Sequence, residues 1–315
     1  MYVFMFAILS FVGLIFIVIA STTMSMHNQV FQEKPMKYSN ETRTVSKYNK
    51  GKAKKKEKQI TSKPDPRKTA ADAKIKEDET RSLDEVLEEI DRNLDSYQEI
   101  EICIRRLRAL RSKYPQEPGI WWRLGKGYLK FAEKTKDLSS KHFKIDKGIS
   151  ACQVSLDMDS NQSEAHKWMA VLMGYKGHMQ PLKEKINCAN LLKMHLDQAI
   201  SLNPSDPVLQ HMAGRFCFEM SSLNWFERKI VKAIFTEPSD CSYDKALEHF
   251  LECEKLCTPP WKENRLLIAK CYIAIGQNVE ALKWLRKAKD TFDELNNERL
   301  DREINNFLAQ YSDFR

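Results

Sequence analysis

The chain has 315 residues, of which 42% are hydrophobic, and 10 glycines with 11 prolines are too few for a turn-rich β protein, so we expect an all-α protein. The formal net charge of +8 is concentrated in residues 28–80, which hold 15 Lys and Arg against 8 Asp and Glu. The remaining residues are therefore close to neutral, and a neutral folded body has no long-range attraction for phosphate backbones, which excludes a nucleic-acid-binding protein from our expectations.

The first predicted element is a membrane-spanning helix at residues 2–20. These 19 residues carry no charge, and at about 1.5 Å per residue they can cross a hydrocarbon core of about 30 Å. A cleaved signal peptide begins with a basic segment, and no Lys or Arg precedes this stretch, so we favour a retained anchor, residues 1–27. The positive charges that follow, from Lys34 onward, predict a cytosolic C-terminal domain. The mitochondrial outer membrane and the endoplasmic reticulum both remain open.

Residues 28–80 are predicted to be a disordered basic linker, because Lys, Ser, Thr, Asn and Pro dominate and large apolar residues are few. As a flexible coil, this segment would have an r.m.s. span of about 40 Å. Its densest basic run consists of Lys50, Lys52, Lys54, Lys55, Lys56 and Lys58. The run is either a solvated spacer or a surface that binds acidic lipid or an acidic polymer such as a microtubule.

Helical segments are predicted to follow one another through a third domain, residues 81–315. Apolar periodicity indicates helices at 82–96, 99–113, 119–133 and 142–158, and a polar closing helix at 298–311. Ser82 followed by Glu85 has the pattern of a capping box at a helix N-terminus. Residues 134–146 are predicted to be an extended loop or a lengthened helix.

The motif W-x2-L-G-x2-Y at residues 121–128 is the opening of a tetratricopeptide repeat. The corresponding small positions of successive repeats are Gly125, Leu172, Gly214 and Ala269, which lie 47, 42 and 55 residues apart instead of about 34. We therefore predict a tetratricopeptide-like right-handed α-solenoid of helical hairpins with long insertions. One insertion, a helix at residues 225–235, is expected to lie across the concave face.

The segments EAHKWMAVLMGYKG, LNPSDP, GRFCFEM and LNWFERKIVKAIF, between residues 164 and 235, resemble the regulator of microtubule dynamics family. The resemblance covers about residues 82–288. It implies a membrane-anchored tetratricopeptide scaffold that associates with microtubules or the spindle, with tubulin among its partners and spindle poles among its locations. The alternative is a tether between mitochondrion and endoplasmic reticulum that binds or transfers phospholipid in its groove.

Motifs for catalysis and for nucleotide binding are absent from the sequence, which contains no GxxxxGK[ST], GxGxxG, HExxH or GxSxG, so we predict neither an enzyme nor a cofactor. His249, Cys253 and Cys257 have the i, i+4, i+8 spacing of helical metal ligands. Because buried cysteines behave as small hydrophobic residues, we favour a core position for them over a zinc site. The 8 cysteines include no CxxC pair and are predicted to be reduced thiols.

Aromatic and basic side chains beyond the needs of packing are the candidates for a binding groove. Trp121 and Trp122 are adjacent and therefore point about 100° apart on a helix, so we expect one of them to line the groove. The candidate residues for binding a protein partner or an anionic phospholipid are Trp122, Arg123, Trp225, Phe226, Arg228 and Lys229.

Overall fold

A computed structural model describes residues 66–224, 241–292 and 297–313. These residues form twelve α-helices and contain no strand, which confirms the all-α prediction. The helices are α1 (Pro66–Asp78), α2 (Leu83–Asp95), α3 (Ile100–Lys113), α4 (Pro118–Glu133), α5 (Leu138–Met158), α6 (Ser163–His178), α7 (Leu182–Leu202), α8 (Pro207–Ser222), α9 (Tyr243–Leu256), α10 (Lys262–Ala274), α11 (Asn278–Lys289) and α12 (Glu298–Gln310). The predicted anchor at 2–20, the lysine run at 50–58 and the predicted helix at 225–235 lie outside the described residues.

Consecutive helices pack as hairpins, α4 with α5, α6 with α7, α8 with α9 and α10 with α11. The first helix of one hairpin also contacts the first helix of a neighbouring hairpin, since α4 packs on α6 and α8 on α10. These first helices therefore form one layer, as in tetratricopeptide-like stacks, where each repeat contacts its neighbours. The hand of the superhelix stays a prediction. Among the described helices, none has the length and apolar character needed to cross a bilayer.

Local capping signals set the helix boundaries. Ser82 accepts a hydrogen bond from the backbone N–H of Glu85 at 3.3 Å, as expected for the N-cap of α2. α5 begins at Leu138, earlier than the predicted residue 142, because Asp137 caps it and accepts from the backbone N–H of Ser140 at 2.7 Å. The segment 134–146 is therefore mostly a lengthened helix preceded by a short turn.

The end of the predicted linker is a helix, because residues 66–78 form α1 and pack on α3. Asp78 and Arg106 are buried where these helices meet. Arg106 Nε donates to Asp78 Oδ2 at 2.8 Å and its Nη2 donates to Oδ1 at 2.6 Å. The composition of this segment, which is poor in apolar residues, predicted disorder. Composition does not show that Asp78 has an ionic partner 28 residues away.

The first full hairpin is closely packed because glycines lie where its helices cross. A Cβ atom at Gly125 of α4 would lie 2.3 Å from Cys152 Sγ of α5, and a Cβ atom at Gly148 would lie 2.8 Å from the Leu172 side chain of α6. A larger residue at either position would require the neighbouring atoms to shift. The core that begins here continues without interruption through α8.

The cysteines do not all remain thiols. The structure joins Cys217 of α8 to Cys241 by a disulfide, with a Cα–Cα distance of 4.6 Å that lies in the range of about 4.4–6.8 Å usual for such bonds. The prediction of reduced thiols is therefore wrong for this pair. The other six cysteines are buried and free.

Candidate functional site

A cavity of about 410 Å³ lies in the layer formed by the first helices of the hairpins. Its volume falls in the range of about 300–1,000 Å³ that is typical of ligand pockets. α2, α4, α6, α8 and the residue that precedes α10 supply its lining: Asp91, Asp95, Trp122, Arg123, Lys126, Glu164, Lys167, Trp168, Val171, Val208, His211, Met212 and Trp261. We call this cavity the tryptophan groove.

Three buried tryptophans form much of the groove wall, namely Trp122, Trp168 and Trp261. Trp168 Nε1 donates to Glu164 Oε2 at 3.1 Å, which holds this ring against α6. The guanidinium of Arg123 lies 4.1 Å from the centroid of the Trp122 ring, within the range of a cation–π contact. Large flat rings held in this way give the groove rigid apolar walls.

The cations on the α4 side of the groove are paired with carboxylates of α2. Arg123 Nε donates to Asp91 Oδ2 at 2.8 Å. Lys126 Nζ lies 3.0 Å from Asp91 Oδ1 and 3.0 Å from Asp95 Oδ1. Both cations therefore have their charge compensated before any ligand arrives.

The cation on the α6 side is paired as well. Lys167 forms ion pairs with Glu164 and with Asp206, the latter at 2.7 Å. Burial lowers the pKa of Lys167, but the two carboxylates outweigh it and hold this pKa above its usual value. With three cations and three carboxylates in its lining, the groove is charge-balanced and not basic.

His211 on α8 is held in one tautomer. Asn264 Nδ2 donates to the Phe250 carbonyl at 2.9 Å, which turns Asn264 Oδ1 toward His211 Nδ1, 2.9 Å away. Nδ1 therefore carries the proton and Nε2 carries the lone pair. Burial and the nearby charge of Arg215 lower the pKa of His211 to about 3, so the ring is neutral at pH 7. Nε2 is buried and has no hydrogen-bond partner among the described residues.

Two of the candidate groove residues lie in the described part of the chain, and both line the groove. Trp122 faces the groove, whereas its neighbour Trp121 packs against the core of α2–α4 with Arg111 5.1 Å from its ring centroid. Arg123 lines the groove but is bound to Asp91. The other candidates lie outside the described residues: Trp225, Phe226, Arg228, Lys229, Lys50, Lys52, Lys54, Lys55, Lys56 and Lys58.

Sequence reasoning missed the acidic half of the groove and His211. Asp91 and Asp95 lie one turn apart on α2, a pattern that also describes an ordinary solvated helix face. Their partner Lys126 is 35 residues from Asp91, and no local pattern indicates that pairing. His211 falls within the stretch that carries the family resemblance, but its polar environment depends on Asn264, which lies 53 residues away.

The residues with metal-ligand spacing have structural contacts instead. His249 Nδ1 lies 2.8 Å from Gln210 Oε1. Cys253 and Cys257 pack against Trp261 in a small apolar cluster. Burial raises the pKa of both thiols, that of Cys257 to about 11. Across the ranges that the structure describes, no group of three or more His, Cys, Asp or Glu could hold a metal ion.

Two solved structures have some similarity to this chain. A thermophilic TPR protein from Thermus thermophilus has 15% sequence identity and a TM-score of 0.46, and the match covers 72% of this chain and 100% of that one. The MamA protein has 16% identity and a TM-score of 0.40, covering 72% of this chain and 93% of that one.

The curated relatives have a higher sequence identity to this chain than these solved structures have. Regulator of microtubule dynamics protein 3 from Xenopus laevis is 34% identical over 169 residues, 54% of this chain and 36% of the relative. Regulator of microtubule dynamics protein 2 from Homo sapiens is 30% identical over 210 residues, 67% of this chain and 51% of the relative. The chain thus spans about a third to a half of the length of these curated relatives. The family described as Regulator of microtubule dynamics protein 1-3 matches residues 86–312, well over half of the sequence, and the chain belongs to that family.

Proposed function

We propose that this chain is a microtubule-associated scaffold, anchored in a membrane by residues 2–20, whose tryptophan groove binds a segment of a protein partner. The family match at residues 86–312 carries this proposal, because it includes the whole lining of the groove and because relatives bear the name regulator of microtubule dynamics. Stacks of helical repeats form extended concave surfaces that bind partners.

The chemistry of the groove favours a protein segment over a phospholipid. A phosphate headgroup needs cations that are free to contact it, and Arg123, Lys126 and Lys167 are already paired with carboxylates. Buried tryptophans, in contrast, are typical of sites where a peptide places its anchoring side chains. We therefore do not propose the tether that carries phospholipid in this groove.

The lysine run outside the described residues is proposed to attract the acidic microtubule surface. Changing Lys50, Lys52, Lys54, Lys55, Lys56 and Lys58 to Gln is expected to weaken binding at physiological salt by at least about tenfold, since each lysine near an anionic surface contributes on the order of 1 kcal/mol. Cosedimentation of the full-length chain with microtubules assembled from purified tubulin, over a series of salt concentrations, measures this. Because salt screens such attraction over about 8 Å at physiological ionic strength, wild-type binding should fall steeply as salt is added.

Two results would count against this assignment in different ways. Equal pelleting of the wild-type and glutamine variants would show that the run is only a spacer. Failure of the wild-type chain to pellet even at low salt would remove direct microtubule binding from the proposal.

The groove itself is tested by filling it. Val208, the second residue of α8, lines the groove, and Val208→Trp is expected to occupy it and to weaken binding of peptides selected from a random display library against the full-length chain by more than about tenfold. Val279 is the matched control, because it is the second residue of α11 and is 45% exposed. Val279→Trp should bind the peptides as the wild type does. Full binding by a folded Val208→Trp variant would place the partner site elsewhere.

A further inference from the structure

The charged side chains of the tryptophan groove differ in how far they reach solvent. Asp95 and Glu164 have side chains that are 45% and 35% exposed, and both belong to the groove lining. The side chains of their partners Lys126 and Lys167 are only 6% and 13% exposed. A ligand that enters from solvent can therefore contact these two carboxylates, whereas the lysines are largely covered by the protein.

Each of these covered lysines has a second carboxylate partner. Lys126 Nζ lies 3.0 Å from Asp91 Oδ1, and Lys167 Nζ lies 2.7 Å from Asp206 Oδ2. Asp206 is not part of the lining, and with it the described residues place four carboxylates against the three cations of the groove. The exposed carboxylates are therefore not all needed to compensate the protein's own cations.

Lys130 on α4 does not cancel this excess of carboxylates. Its burial lowers the pKa of the ammonium group to about 7, against the attraction of Glu133 and Asp95, which raises the pKa. Lys130 is therefore only partly charged at neutral pH. The groove keeps more negative than positive charge, and that charge is most accessible at Asp95 and Glu164.

Both exposed carboxylates lie near the ring of Trp168. Glu164 Oε2 accepts a hydrogen bond from Trp168 Nε1 at 3.1 Å. Lys126 Nζ, which lies 3.0 Å from Asp95 Oδ1, is 5.5 Å from the centroid of the same ring. A ligand thus meets negative charge and an apolar wall together. An arginine side chain suits this combination, because its apolar stem packs on a ring while its guanidinium binds a carboxylate.

We propose that the protein segment held in the tryptophan groove carries arginine, paired with the exposed carboxylates of Asp95 and Glu164, beside an apolar side chain that packs on the tryptophans. This inference rests on the proposed function, in which the groove is the partner site. Arginine is preferred to lysine because a planar guanidinium can donate two parallel hydrogen bonds to one carboxylate and is more weakly hydrated.

A random-peptide display library provides the first test. The full-length chain selects peptides, and peptides that also bind the Val208→Trp chain are removed, so the remainder require an open groove. These peptides are expected to contain arginine at least about threefold more often than the unselected library. The same selection on a chain with Asp95→Asn and Glu164→Gln should show no such enrichment, because the accessible negative charge is gone.

A pair of synthetic peptides then isolates the charge. One recovered peptide is made with arginine and again with citrulline, which has nearly the same shape but is neutral. Calorimetric titration of the full-length chain is expected to give about tenfold tighter binding of the arginine peptide, the low end of what a hydrogen bond between charged groups supplies. Because the result is a ratio of two affinities in one protein, a change in the protein's stability does not alter it.

Two double variants of equal net charge identify the carboxylates responsible. Asp95→Asn with Glu164→Gln leaves each covered lysine one carboxylate partner and should reduce the ratio to less than about twofold. Glu252→Gln with Glu280→Gln is the matched control, because both of these carboxylates are 42% exposed, pair with a lysine three residues later and lie outside the groove lining. The control should keep the tenfold ratio.

The outcomes separate this inference from the proposed function. Groove-dependent peptides without enrichment of arginine, equal affinity for the arginine and citrulline peptides, or a ratio that survives in the Asp95→Asn, Glu164→Gln chain would overturn the inference and leave the proposed function standing. Recovery only of peptides that bind the Val208→Trp chain would count against both. Displacement of a recovered peptide by phosphatidylcholine vesicles, which carry no net charge, would assign the groove to lipid and also count against both.

Discussion

Replacing Arg106 by Met is expected to lower the free energy of unfolding by about 3–5 kcal/mol, the cost of leaving a buried charge without its partner. Arg106 donates to both carboxylate oxygens of Asp78 and, at 2.8 Å, to Glu89 Oε1, so it joins α1, α2 and α3. Chemical denaturation in urea measures the change. Arg92→Met is the control, because the pair of Arg92 with Glu88 is exposed and 3.9 Å long, and it should change stability by less than about 0.5 kcal/mol.

Acid should narrow the difference in the free energy of unfolding between the wild type and Arg106→Met. The hydrogen bond from Arg106 is the main cause that lowers the pKa of Glu89 from 4.5 to about 2 in the folded chain. A depressed folded pKa contributes stability that is complete above the unfolded value and is lost as pH falls from about 4.5 toward 2. The wild type therefore loses this contribution on acidification, whereas the variant has only the part of it that Arg81 and Lys74 supply. A difference in the free energy of unfolding that increased at low pH would contradict this account.

Replacing Phe250 by Ala is expected to destabilise the chain by about 3–5 kcal/mol, the usual cost of truncating a buried aromatic residue. Phe250 of α9 is fully buried against α8 and packs with Ile268 and Cys271 of α10. Its loss would leave a cavity at the meeting point of two hairpins. Phe292→Ala provides the control, because Phe292 is 83% exposed and its removal should change stability by less than about 0.5 kcal/mol. Equal effects of the two substitutions in urea denaturation would show that the α8–α9 contact is loosely packed.

A double-mutant cycle tests whether Phe250 packs directly against Gly214. A Cβ atom at Gly214 would lie 2.7 Å from the Phe250 ring, so Gly214→Ala alone should cost about 1–3 kcal/mol through overpacking. In the Phe250→Ala background the new methyl group has space, and its cost should shrink. Additive costs would show that the two residues do not press against each other.

Short-range signals in the sequence were sufficient for several helices, among them α2, α3, α4 and α12, although not for α1. Ser82 with Glu85 indicated the start of α2, and the W-x2-L-G-x2-Y motif identified Gly125 as the small position of a repeat, where the structure leaves no room for a Cβ atom. Adjacent Trp121 and Trp122 had to diverge on a helix, and they do. These features depend on residues within a few turns of one another, which is why the sequence by itself determined them.

Pairings between distant residues were decided only by the tertiary structure. Arg106 holds α1 in place by hydrogen bonds to Asp78, which is 28 residues away in the sequence. In the groove, the charge of Lys126 is balanced by Asp91, which is 35 residues away. The tautomer of His211 likewise depends on Asn264, 53 residues further along the chain. Charge and hydrogen bonding act over a few ångströms in space, and a sequence pattern does not record which distant side chain comes that close once the helices have packed.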